Sequence, residues 1–171
     1  IMALDVSGSM SGSTMEKAKK AMINFVSKFE DSNIEIGIVA FSDSTIEICE
    51  PTHNYKKVNN AISSLDCNIH GIGYGNQADP LPLIFKTLKR FKEYKFIYTI
   101  ILTDGVWCSQ LEALKSKNSF VKNGFEIIGM GFGTADINFL RKLSTREELA
   151  KVDDISLLNE NLSSIAKIIN N

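Results

Sequence analysis

The sequence predicts a doubly wound α/β domain, a three-layer sandwich in which a mostly parallel sheet of about six strands, one of them antiparallel at an edge, lies between about six helices. Three observations predict it. Apolar, β-rich runs alternate with segments of helical period along the whole chain. Residues 96–103 are continuously apolar and rich in β-branched side chains, as a central strand buried on both faces requires. Short loops of glycine and small polar residues follow the strands, where an open parallel sheet binds its ligands.

The elements follow in order. Residues 1–6 form a buried strand that ends in the small polar loop 7–13. Met15, Ala18, Met22, Phe25, Val26 and Phe29 then recur at three- and four-residue steps, so a helix presents one apolar stripe to the sheet while Glu16, Lys17, Lys19 and Lys20 face water. Residues 34–41 read as the second strand. Residues 45–49 follow after only Ser42-Asp43-Ser44, too short a link for a parallel crossover, so this pair is an antiparallel hairpin. Val58, Ala61, Ile62 and Leu65 mark a helix over residues 55–65. A glycine-rich stretch, 71–75, leads to Asp79 as cap and Pro80 in the first turn of a helix carrying Leu81, Ile84, Phe85, Leu88 and Phe91. After the central strand come a helix over residues 111–121, the Asn123-Gly124 stop, a strand over 126–131 and a short helix with Ile137, Leu140 and Leu143. A weak edge strand over 149–152 and a final helix with Leu158, Leu162, Ile165 and Ile169 complete the fold.

With 171 residues, 44% of them hydrophobic, the chain has enough apolar side chain for one core, and residues 1–171 are read as a single domain. It opens at Ile1, inside an apolar run and without an initiator Met, as a domain excised from a longer chain would. The formal net charge of −1 leaves no basic excess for a polyanion and no polybasic stretch for an anionic membrane, so neither nucleic acid nor membrane is an expected partner. Cys49, Cys67 and Cys108 are odd in number and scattered, which suits reduced thiols in a cytoplasmic protein.

Three strand-end loops carry the chemistry: Asp5-Val6-Ser7-Gly8-Ser9, residues 71–79 and Thr103-Asp104-Gly105. Ser7 and Ser9 offer neutral hydroxyls on one face of a tight turn, with Gly8 letting the backbone bend between them. Asp5 and Asp104 add two negative charges from neighbouring strand ends. Such hard oxygens suit Mg²⁺, and Mn²⁺ or Ca²⁺ as alternatives. With only two carboxylates, one ligand position stays electrophilic enough to accept another carboxylate.

The Asp-x-Ser-x-Ser run after the first strand resembles the metal-ion-dependent adhesion site of von Willebrand factor A and integrin I domains. The resemblance extends through Met2 to Met10, Val39-Ala40-Phe41, Leu102-Thr103-Asp104-Gly105 and Gly129 to Gly133, and residues 5–10 are most similar to compact bacterial members of the tellurite-resistance type. It implies a Rossmann-like sheet in the order 3-2-1-4-5-6 and a monomeric, non-enzymatic module whose metal captures an Asp or Glu of a protein partner. The family's second loop supplies a Thr ligand, often as Gly-Gly-Thr, where this chain reads Gly73-Tyr74-Gly75-Asn76-Gln77-Ala78-Asp79. Asn76, through its amide oxygen, is the expected substitute; Asp79 comes second because capping already explains it. Met10, Tyr74 and Trp107 are candidates for a partner-binding rim, with core packing the competing role for each.

Other motifs carry less. Gly71-x-Gly-x-Gly75 and Gly129-x-Gly-x-Gly133 lack the spacing of a dinucleotide loop and read as turns. Cys49-x-x-x-His53 and Cys67-x-x-His70 resemble a zinc set, but a straight helix over 55–65 would hold the pairs roughly 16 Å apart. Lys17-Lys19-Lys20 and Lys86-Lys89-Arg90-Lys92 are read as solvated helix faces. Two other functions stay open at this level: a metal-assisted hydrolase or phosphoryl-transfer enzyme, and a degenerate scaffold that binds without metal.

Overall fold

The computed structural model describes residues 1–30, 32–91 and 93–170, with the side chain of His70 also outside the described residues. Six strands form one sheet: β1 Met2–Asp5, β2 Ile36–Phe41, β3 Thr45–Thr52, β4 Tyr98–Thr103, β5 Glu126–Phe132 and β6 Lys151–Asp153. Their order is β3-β2-β1-β4-β5-β6, parallel throughout except that β3 runs antiparallel to β2 at one edge. The switch in strand order falls between β1 and β4, so the loops leaving these two strands open onto one crevice.

Helices α1 Ser13–Val26, α2 Tyr55–Ser63 and α6 Leu158–Asn170 cover one face; α3 Leu81–Leu88, α4 Gln110–Lys122 and α5 Ile137–Leu143 cover the other. The two-residue alternation of a strand divides the core between them. Met2 and Leu4 pack with Met22, Phe25, Val58 and Leu162, while Ala3 points the opposite way toward Leu81, Ile84 and Phe120. The expected apolar stripe of α1 is buried, as is that of α6 at Leu158, Leu162 and Ile165, with Ile169 partly buried against the same cluster.

Several boundaries differ from the sequence reading, each for a local reason. β4 starts at Tyr98, and Phe96 is exposed beside the Lys95 ammonium instead of entering the sheet. α1 ends at Val26 and tightens into a 3₁₀ turn over Ser27–Phe29, which still buries Phe29. α3 begins one residue after Pro80, with Asp79 accepting from the Leu81 amide as the expected cap. Gly129 and Gly131 are not turn residues: they lie in β5 beneath α5, where a Cβ on Gly131 would come within 2.6 Å of the Ala135 Cβ and 2.7 Å of Leu140 Cδ1. Gly133 does turn the chain, at φ +62°.

No helix among the described residues is long and apolar enough to cross a membrane. Among the described residues the zinc set does not assemble. Cys49 is buried and bonds to the Glu50 carbonyl, His53 lies 3.4 Å from Glu35, and the Cys67 thiol donates to the Ser7 carbonyl; His70's contribution lies outside the described residues. Lys17, Lys20, Lys86, Lys89 and Arg90 are exposed as expected, Lys19 pairs with Glu16, and Lys92 lies outside the described residues.

Candidate metal centre

The end of β1 and the 3₁₀ turn over Gly8–Met10 bring the first loop back over the sheet edge. Asp5 is fully buried. One of its carboxylate oxygens accepts from the Ser7 amide at 2.9 Å and the other from the Thr103 hydroxyl at 2.6 Å. Ser7 and Ser9 place their hydroxyl oxygens 3.2 Å apart, and the Ser9 hydroxyl donates to Asp104 Oδ1 at 2.8 Å. Asp5, Ser7, Ser9 and Asp104, from loops some 95 residues apart in the chain, therefore form one connected group of oxygens at the switch point.

Burial raises the pKa of Asp5 above its usual value; hydrogen bonds from Ser7 and Thr103 oppose the rise, and the nearby Asp104 adds to it. Burial likewise raises Asp104, opposed by the Ser9 hydroxyl. Two partly desolvated carboxylates, one raising the pKa of the other and neither in a salt bridge among the described residues, form a pair that a divalent ion would stabilise.

The 64–80 connection lies across this group. The Gly8 amide donates to the Tyr74 carbonyl at 2.9 Å, and the Cys108 amide donates to the Asn76 carbonyl at 2.9 Å, so the loop is tied to both acid-bearing segments. The Asn76 side chain lies against Gly105, whose missing Cβ would sit 2.9 Å from Asn76 Nδ2. Asn76 Oδ1 is buried and has no hydrogen-bond partner among the described residues. A buried amide oxygen without a donor is costly, and a hard cation satisfies it. Asp79 is committed elsewhere, accepting from the Leu81 amide at 3.0 Å and the Ser116 hydroxyl at 2.6 Å. No group of three or more His, Cys, Asp or Glu side chains among the described residues is arranged to hold a metal; the donors here are two carboxylates, two hydroxyls and an amide.

The rim expectation is corrected at two of three positions. Tyr74 is 60% exposed, but Met10 is fully buried and Trp107 is 3% exposed. The 3₁₀ turn points Met10 down into the core against α1. Trp107 packs edge-on between Phe41 and Phe139, ring centroids 5.0 and 5.2 Å away, and its indole N–H donates to Thr103 Oγ1 at 3.1 Å. Trp107 thus orients the hydroxyl that holds Asp5. Val106, 53% exposed, takes the outward place beside Gly105.

Two contributors escaped the sequence reading. Thr103 stood in the second motif without a role, although as the last residue of the strand paired with β1 it faces the end of that strand. Asp43 was only a turn residue, yet its carboxylate accepts from the amides of Tyr74 and Gly75, while the Ser42 hydroxyl donates to the Gly75 carbonyl. The position of Asp43 directly after a parallel strand adjacent to β1 was the available signal.

Comparison with known proteins agrees with the fold. The family described as von Willebrand factor type A domain matches residues 1–169. No curated protein matches the chain. Among solved structures, the vWF domain of the type V pili tip protein Mfa5 from Porphyromonas gingivalis superposes with a TM-score of 0.81 at 13% identity, covering 99% of this chain and 93% of that one. Proximal thread matrix protein 1 from the mussel byssus gives 0.78 at 19% identity over 98% of this chain but only 44% of its own. A further structure of that mussel protein, with zinc in its MIDAS motif, gives 0.77 at 17% identity, with 98% and 44% covered.

Proposed function

The chain belongs to the von Willebrand factor type A domain family, and from that premise we propose that it is a divalent-metal-dependent protein-interaction module rather than an enzyme. The observation that carries this reading is the convergence of Asp5, Ser7, Ser9 and Asp104 at one strand-end position, with Asn76 on the loop bonded to Gly8 and Cys108 and its Oδ1 without a partner among the described residues. Ser7, Ser9 and Asn76 would offer neutral oxygens, and Asp5 and Asp104 the only two negative charges. Bound there, Mg²⁺ or Mn²⁺ would supply an electrophilic position for a carboxylate of the partner. Thr103 and Trp107 hold Asp5 in place, and Asp43 holds the loop that carries Asn76. Zinc in the mussel relative supports a metal at this position of the fold; the chemistry of the oxygens here favours a harder ion.

The hydrolase reading draws on no separate observation, since the Ser9 hydroxyl is spent on Asp104 and His53 on Glu35. Titrating Mg²⁺ into the protein by calorimetry, with Asp5→Ala as control, tests the metal site: binding heat in the parent and none in the variant is expected, and equal heats would overturn it. Partner capture that is unchanged in EDTA would select a metal-independent scaffold instead.

A further inference from the structure

The polarity of the molecule narrows the kind of partner this surface can take. β1, β2, β4, β5 and β6 all end on the same side of the sheet. The segments that leave them, residues 6–12, 42–44, 104–109, 133–136 and 154, together with the 64–80 connection, contain no Lys or Arg. They do contain Asp43, Asp66, Asp79, Asp136 and Asp154 in addition to Asp104, with Asp5 at the end of β1. The chain's 19 Lys and Arg residues therefore lie entirely outside these loops. Two basic side chains of α1 reach this surface: Lys19 donates to the Leu65 carbonyl, and Lys17 adds to the hydrogen bonds from Ser156 in lowering the pKa of Asp154. Close in sequence to the contacts of the two metal-site carboxylates, two large hydrophobic side chains are exposed, Tyr74 on one loop and Val106 on the other.

We infer that the partner segment presents a single carboxylate next to a bulky apolar residue, within a basic rather than an acidic stretch of chain. The inference rests on the metal-site reading and goes beyond it. One carboxylate is drawn in by the cation, but every further acid on the partner meets Asp43, Asp66 or Asp154 on loops that contain no Lys or Arg of their own, whereas a lysine or arginine there is attracted. Within a Debye length of about 8 Å at physiological salt such rim charges act mainly on association rate and partner choice. Tyr74 and Val106 supply the apolar contact that a lone carboxylate lacks. Tyr74 is held by its own backbone, whose carbonyl accepts from Gly8 and whose amide donates to Asp43, so its ring is presented at little entropic cost.

The test is selection from a random peptide display library on the immobilised chain, in Mg²⁺ and in EDTA. Two double variants, Tyr74→Ser/Val106→Ser and Asp66→Asn/Asp154→Asn, are run alongside; the asparagines keep the oxygens that accept from Cys67 and Ser156. Selected peptides should carry one Asp or Glu, an apolar neighbour within two positions and an excess of Lys and Arg. The first variant should lose the apolar enrichment. The second should lose the basic enrichment and bind a selected peptide more weakly by up to about fivefold per rim pair. Mg²⁺-dependent selection of acidic peptides with no apolar or basic preference, or with runs of acids, would overturn the inference alone, as would an empty selection. Enrichment that persists in EDTA would overturn the metal reading on which it stands.

Discussion

Replacing Asn76 with alanine separates the metal reading from a structural one, because the two forms of the protein should respond differently. Without metal the buried Oδ1 has no donor among the described residues, at a cost of about 1–3 kcal/mol. Removing it relieves that cost while forfeiting packing against Gly105, an opposing effect of about 1 kcal/mol. Stability in EDTA should therefore stay within roughly 1 kcal/mol of the parent or rise. With Mg²⁺ the variant loses a ligand oxygen. If that is worth about 1.4 kcal/mol, the dissociation constant rises tenfold. At free Mg²⁺ about 100 times the parent constant, the stabilisation by metal then falls from about 2.7 to about 1.4 kcal/mol. Urea unfolding with and without Mg²⁺, joined to calorimetric titration, measures both quantities. Equal stabilisation by Mg²⁺ in parent and variant would refute the role of Asn76, and a loss above about 2 kcal/mol in EDTA would show the amide to be a structural partner instead.

Two further outcomes follow from the same geometry. A Cβ on Gly75 would fall well inside contact with the Asp43 carboxylate, so Gly75→Ala should break the bonds to the Tyr74 and Gly75 amides, cost about 1–3 kcal/mol in urea unfolding and weaken Mg²⁺ binding. Unchanged metal affinity would remove Asp43 from the positioning of the Asn76 loop. Asp5 and Asp104 have raised pKa values in the metal-free fold, so their contribution to stability is fully present below their ordinary value of 3.8 and is lost as pH rises through the raised ones. Stabilisation by Mg²⁺, which needs both carboxylates ionised, should accordingly grow as pH rises from about 4 towards neutrality. Melting curves in EDTA and in Mg²⁺ across that range check this, and a metal-induced shift that is flat or shrinks with pH would contradict it.

The architecture was legible because periodicity is a local property. Whether a stretch repeats its apolar residues every two positions or every three to four depends on neighbours a few residues away, and it set the order of strands and helices and the placement of Asp5, Ser7, Ser9 and Asp104 at or just after strand ends, while the short link 42–44 set the antiparallel hairpin. Parallel strands then carry those ends to one side of the sheet without further instruction. What sequence could not settle was which loop residues meet across long separations and which way they face. Met10 and Trp107 have the composition of a binding rim, yet one is turned under by a 3₁₀ turn and the other is captured between Phe41 and Phe139 with its N–H on Thr103. Asp43 has the composition of an ordinary turn, yet it holds a loop more than 30 residues away. Gly129 and Gly131 suggest a turn, yet a helix packed on β5 requires them. Each of these outcomes depends on closing contacts between segments distant in the chain, and only the packed core determines which backbone donors and side-chain oxygens remain free to meet there.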